Sequence, residues 1–365
     1  MKKYNNPVKI TFTNDWKLEL KKKIKSLKVS NPMIITSEGN RRRNNLDLIF
    51  NSNFIFSDIK SNPTFDDCSK IIKFCINKKF DSVVALGGGS VMDLSKVAIA
   101  HLSLNKTNII DLINYKKKYR GHIPSIFLPT THGTASEVTM WGTLWDMSDK
   151  KKYSISHPSL YPNFAILDPN LTLSLPLDLS ITTTMDALSH SFESIWNKNA
   201  NSKSTEYAIS AISLILKNIK TLKSNLDDLR ARKNLLKAST LAGLAFSNTM
   251  TAAAHSISYP LTIRYGIPHG IASSLALIPL LKINKNFISE PLDIICNKNG
   301  LSFNKLINVI QSIPKEEISY KLRDWGVKEI DFPLLTNESF TKGRIDNNIV
   351  DLNSDDILKI LKSIY

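Results

Sequence analysis

Short apolar runs and longer runs with helical spacing alternate through the first half of the chain. Pro32–Thr36 (PMIIT), Ser82–Leu86 (SVVAL), Ser125–Leu128 (SIFL) and Phe164–Leu167 (FAIL) are apolar almost throughout. They read as buried strands of a parallel sheet. Between the first two, Phe65–Asn77 places Cys68, Ile71, Ile72, Cys75 and Ile76 on one helical face. Nearer the start, Trp16, Leu20, Ile24 and Leu27 form the apolar stripe of a surface helix whose other faces carry lysine. Strand, helix, strand is the order of an α/β sheet with crossovers. After the proline-punctuated stretch LDPNLTLSLP (Leu167–Pro176) long helical patterns take over. The pattern predicts an α/β N-terminal domain with a parallel sheet over residues 1–175, and an all-helical C-terminal domain over 176–365.

Composition narrows the function classes. With 42% hydrophobic and 22% charged residues in 365, the chain is globular and not disordered as a whole. The net charge of +16 raises nucleic acid, a membrane surface or an anionic substrate as partners. Half of that charge lies in residues 1–50, which hold 12 basic and 4 acidic side chains, largely around the amphipathic helix. Only 9 of the 48 basic residues are arginine, so the charge reads as a chain-wide lysine bias and no nucleic-acid partner is expected. The longest charge-free stretch, Ala238–Ile263, contains Ser239, Asn248, Thr249, His255 and Pro260, which disfavours a lipid-facing helix. Three unpaired-looking cysteines, Cys68, Cys75 and Cys296, and a start without an apolar leader point to a cytoplasmic protein.

Two turns in the α/β half carry candidate chemistry. The strand at Ser82–Leu86 runs into Gly87-Gly88-Gly89-Ser90 and then a helical pattern. Backbone N–H groups at such a helix start favour a phosphate, and glycine lets it come close. Neither G-x-G-x-x-G nor G-K-[ST] is present, so a tight strand-to-helix turn is the plain alternative. The second turn, PTTHGTASE (Pro129–Glu137), follows the strand at Ser125–Leu128 and offers threonine hydroxyls at a sheet's carboxyl edge. Together they favour a dinucleotide.

The helical half holds three of the seven histidines, His190, His255 and His269. Asp186 and His190 are i, i+4 in MDALSHSFESIW and share a helix face. One carboxylate with three imidazoles suits Fe²⁺ or Zn²⁺ better than Mg²⁺ or Ca²⁺. Any one of these histidines alone could equally be a hydrogen-bonded core residue.

GGGSVMDLSK, LPTTHGTASEVT, MDALSHSFES and HSISYPL…PHG, in this order, resemble the iron-containing alcohol dehydrogenase family from about Asn62-Pro63 to His269-Gly270. The resemblance implies a dinucleotide-binding domain and a helical metal domain, an architecture similar to dehydroquinate synthase. It also implies a metal held by Asp186, His190, His255 and His269, taken as Fe²⁺ with Zn²⁺ as the alternative. By the same resemblance Gly88, Gly89 and Ser90 contact the pyrophosphate. The resemblance also implies that Ser37, Asn62, Asp93, Thr130, Thr131, Thr134 and Lys152 lie near the cofactor.

Two positions depart from the family pattern. Tyr259 stands where many members have a proton-relaying histidine, and a phenol of ordinary pKa near 10 is a poorer base at neutral pH. Ser37 stands where NAD-preferring members end the second strand with an acid, and Arg41, Arg42 and Arg43 follow it. NADPH is therefore expected over NADH, a solvated arginine run being the alternative. Within the family, SYPLTIRYGIPHG and KKYSISHPSLYP look most like the phosphonoacetaldehyde reductase (hydroxyethylphosphonate dehydrogenase) branch. Arg264 lies between two candidate ligands, and a buried guanidinium demands an anion, either a small aldehyde's phosphonate or carboxylate or an acid elsewhere in the fold or at a subunit contact. The expected function is reduction of a small anionic aldehyde, phosphonoacetaldehyde to 2-hydroxyethylphosphonate, with Tyr259 and Arg264 acting on the substrate and a homodimer as the assembly. The alternatives are a general short-chain alcohol dehydrogenase and a catalytically retired basic binding protein.

Overall fold

The four apolar runs pair side by side, in parallel, in the computed structural model, which describes residues 4–119 and 121–365. Contacts divide the described residues into two compact units, an α/β unit of Pro7–Thr131 and Ala135–Thr172, and a helical unit of residues 4–6, His132–Thr134 and Leu173–Tyr365.

In the α/β unit the strands are β1 (Lys9–Phe12), β2 (Pro32–Thr36), β3 (Ile55–Phe56), β4 (Ser82–Gly87), β5 (Ser125–Pro129), β6 (Trp141–Asp146), β7 (Lys151–Ser156) and β8 (Phe164–Leu167). Six of them form one parallel sheet in the order β1-β8-β5-β4-β2-β3, and β6 and β7 form an antiparallel hairpin. The helices are α1 (Trp16–Leu27), α2 (Glu38–Arg43), α3 (Phe65–Cys75), α4 (Gly89–Leu104) and α5 (Ile109–Asn114). Alternate strand residues feed two cores. Met33, Ile35, Val83, Ala85 and Phe127 pack with Ile71, Ile72 and Val97. Ile34, Val84, Leu86, Ile126 and Leu128 pack with Trp16 and Leu20. Burial on both faces is why these strands are apolar without alternation. Thr64 starts α3 with a capping box closed by Asp67.

Strand order reverses beside β2. From β2 the chain goes outward to β3, then returns to β4 and continues through β5 to β8. Such a switch leaves a crevice at the carboxyl ends of the flanking strands, where α/β sheets take their ligands. Ser37 follows β2 and Gly88 follows β4.

The helical unit comprises α6 (Leu177–Ile195), α7 (Ser202–Ser224), α8 (Leu229–Thr249), α9 (Ala253–Tyr265), α10 (His269–Leu275), α11 (Leu277–Asn284), α12 (Ser289–Asn299), α13 (Phe303–Ser312), α14 (Phe332–Glu338) and α15 (Ser354–Ser363). Helix α6 is buried continuously from Ser180 to Ile195. Its serines tolerate this because Ser189, Ser191 and Ser194 return their hydroxyls to carbonyls one turn back. The charge-free stretch Ala238–Ile263 is broken at Met250 (φ 66°) into α8 and α9. No single helix among the described residues is long and apolar enough to cross a membrane.

Candidate active site

Helix α6 places Asp186, His190 and Glu193 at i, i+4 and i+7, one face of the helix. Helix α9 brings His255 to that face, and α10 opens with His269. Asp186, His255 and His269 each offer a ligand atom, and those atoms lie within 4.8 Å of one another. His190 Nδ1 stands 3.9 Å from Asp186 Oδ2, and His255 Nε2 stands 3.5 Å from Asp186 Oδ1. The His190 ring stacks on His255 at 4.4 Å between centroids and on Phe246 at 4.1 Å.

Hydrogen bonds decide which ring nitrogens face this group. His255 Nδ1 donates to Glu193 Oε2, while Glu193 Oε1 accepts the backbone N–H groups of Ala252 and His255. His190 donates to the Gly133 backbone. That leaves His255 Nε2 and His190 Nδ1 buried with no hydrogen-bond partner among the described residues. Two orphaned lone pairs beside a buried carboxylate are costly without a cation. A carboxylate and imidazole nitrogens with a carboxylate behind one ring fit a divalent transition metal. Burial pushes Asp186 toward its neutral form, but the neighbouring His190, His255 and His269 hold its carboxyl below the usual range. Burial lowers His190 to about 4, against the pull of Asp186. Burial also acts to lower His255, but Glu193 and Asp186 outweigh it and raise that imidazole.

Glu193 is not singled out by the sequence, and Gly133 enters there only as part of the second turn, not beside the imidazoles. Glu193 follows His190 by three positions, a legible signal on a helix. Gly133 is legible only in the fold, because its segment packs on α6. A Cβ at Gly133 would stand 2.5 Å from the Thr183 carbonyl oxygen, so no larger residue fits that approach. A Cβ at Gly270 would stand 2.1 Å from the Thr182 carbonyl oxygen, and the missing side chain lets α10 seat His269 close to α6.

Tyr259 is 7% exposed and lies one turn after His255. Its ring is nearly parallel to that of His269, 6.3 Å away. Arg264 is not brought to this group. Nine residues along α9 from His255, it points about half a turn away around the helix axis. Its Nε and Nη2 donate to the two carboxylate oxygens of Glu338 on α14. The anion that its charge requires is thus an acid of the fold, the alternative left open by the sequence.

In the α/β unit, Gly88 caps α4 and a Cβ on it would stand 3.0 Å from Thr131 Cγ2, so the two ligand turns touch. Ser90 Oγ accepts from the backbone N–H of Asn62, which has φ 57°. Asp93 accepts from Ser136 Oγ at 2.7 Å and from the Thr143 N–H at 2.9 Å. Burial raises its pKa, with Lys96 opposing. Lys152 lies on β7, and Thr134 belongs to the helical unit. Ser37 caps α2, and buried Asn40 donates to Thr130 Oγ1 at 3.4 Å, joining the ends of β2 and β5. Of the three arginines on α2, Arg41 pairs with Asp47 and Arg42 with Glu38. Arg43 donates to Asn40 Oδ1 and makes no ion pair among the described residues.

Both units match one family. The family model described as iron-containing alcohol dehydrogenase covers residues 7–169, and that described as Fe-containing alcohol dehydrogenase family, C-terminal, covers 180–365. The chain is 31% identical to 1,3-propanediol dehydrogenase of Citrobacter freundii over 85% of its own length and 83% of that protein's. It is 34% identical to long-chain-alcohol dehydrogenase 1 of Geobacillus thermodenitrificans over 61% of its length, 56% of that relative. The structure of sulfoacetaldehyde reductase from Bifidobacterium kashiwanohense in complex with NAD+ superposes with a TM-score of 0.92 at 28% identity, covering 100% of this chain and 98% of that one. The chain belongs to the iron-containing alcohol dehydrogenase family.

Proposed function

We propose that this chain reduces a small anionic aldehyde with NADPH, and that phosphonoacetaldehyde, yielding 2-hydroxyethylphosphonate, is its substrate. The observation that carries the reductase reading is the buried group Asp186, His255 and His269 with His190 beside it. The anionic substrate is supported by the likeness to a sulfoacetaldehyde reductase over the whole chain. Asp186, His190, His255 and His269 would hold a divalent iron, with zinc as the alternative, which when bound polarises a carbonyl oxygen. Glu193 keeps His255 in the tautomer that turns Nε2 inward. Tyr259 passes the proton that completes the alcohol, at the cost of a phenol's high ordinary pKa. Gly88, Gly89 and Ser90 meet the pyrophosphate, and Arg43 meets the 2′-phosphate.

A second reading, a general short-chain alcohol dehydrogenase, is favoured by the commitment of Arg264 to Glu338. NADPH oxidation by protein reconstituted anaerobically with Fe²⁺ separates the two. The first predicts strong preference for phosphonoacetaldehyde over propanal, and equal or faster turnover of propanal would leave the second.

A further inference from the structure

Helix α9 carries His255, Tyr259 and Thr262 at i, i+4 and i+7, within about 60° of arc. His255 belongs to the ligand group and Tyr259 stacks toward His269, so this face of the helix looks onto the candidate metal centre. Thr262 is 7% exposed, and its Oγ1 is buried with no hydrogen-bond partner among the described residues. A helical threonine ordinarily returns its hydroxyl to a carbonyl three or four residues back. Thr183, Thr184 and Thr240 do so in this unit. The two serines of α9 are satisfied, Ser256 by the Ser339 carbonyl oxygen and Ser258 by that of His255. Unlike the two serines, Thr262 keeps a hydroxyl that meets no partner among the described residues.

We infer that Thr262 is a specificity-determining residue, donating its hydroxyl hydrogen to an oxygen that the substrate carries beyond its carbonyl. The inference rests on the reductase reading and names the substrate class more closely, as short aldehydes bearing a hydrogen-bond-accepting oxygen. Phosphonate and hydroxyl oxygens both accept such a bond. Arg264, on the opposite side of α9 and held by Glu338, does not supply it.

The test uses the Fe²⁺-loaded, NADPH-dependent enzyme as wild type, Thr262→Val and Thr262→Ser, with phosphonoacetaldehyde, glycolaldehyde and propanal. Valine keeps the shape and removes the hydroxyl, and serine restores it. Thr262→Val is expected to raise KM for an oxygen-bearing aldehyde about tenfold, the scale of one lost hydrogen bond. Propanal should stay within about twofold, and Thr262→Ser should stay near wild type. Calorimetric binding of 2-hydroxyethylphosphonate should weaken by the same factor if the anion is the partner. A loss confined to glycolaldehyde would keep the assignment of Thr262 and refute the anionic substrate. Equal losses on propanal, the same loss in Thr262→Ser, or no loss on any aldehyde would overturn the assignment.

Discussion

Glu193 accepts the Nδ1–H of His255, and that one contact sets which nitrogen of the imidazole faces Asp186. With Nδ1 committed to the carboxylate, Nε2 presents a lone pair, the form in which an imidazole binds a metal. Glu193→Gln keeps the shape and weakens the hold. Its metal affinity should fall about 10- to 100-fold, the range found for lost outer-sphere partners. Competition with a chromophoric chelator measures it. Unchanged affinity would mean that the ring is oriented by packing on His190 alone.

Arg43 is the one α2 arginine without an acidic partner among the described residues. Arg43→Ala should lower kcat/KM for NADPH about tenfold and leave NADH nearly unchanged, consistent with loss of one charge-assisted contact to a 2′-phosphate. Steady-state kinetics with both cofactors checks it. Equal effects would return Arg43 to a role in capping α2.

Arg264 and Glu338 join the last turns of α9 and α14 by a bidentate, partly exposed pair. Breaking it by Glu338→Gln should cost about 1 kcal/mol of stability, since exposed pairs are weak and bidentate ones somewhat stronger. The ratio of phosphonoacetaldehyde to propanal turnover should not change. Urea unfolding and the two-substrate assay together check this, and a changed ratio would bring Arg264 back toward the substrate.

His132 is buried with its Nδ1 beside the hydroxyls of Thr183 and Thr184. Burial lowers its pKa to about 3, with Arg232 adding to the effect. The unfolded chain titrates this histidine near its ordinary value of about 6.5. Between those values the unfolded state binds more protons, so stability falls as pH drops through the window, by about 1.4 kcal/mol per pH unit at most. In metal-free protein, His132→Asn should flatten the fall in stability between pH 6 and pH 4 relative to wild type. Parallel curves by urea unfolding would show that other groups set the slope.

The four central strands and the α3 helix were legible because apolar runs and helical spacing mark them directly. Strand β3, two residues long, β1 with its exposed ends, and the β6–β7 hairpin gave no comparable signal. A half-exposed strand does not show the continuous apolar run of a doubly covered one. Asp186 and His190 were legible from i, i+4 spacing. Their meeting with His255 and His269 depends on where α9 and α10 pack, which spacing does not encode. Arg264 shows the limit most clearly. Its charge called for an anion, and only the packing of α14 identifies that anion as Glu338.

Turnover is expected to depend on a metal held by the acid and imidazoles of the helical unit. Bound iron and NADPH oxidation should be measured together, after anaerobic Fe²⁺ loading, for wild type, Asp186→Ala and His269→Ala. Wild type should carry about one iron per chain, and each variant should lose both iron and turnover. Turnover retained by either variant without bound metal would contradict this dependence.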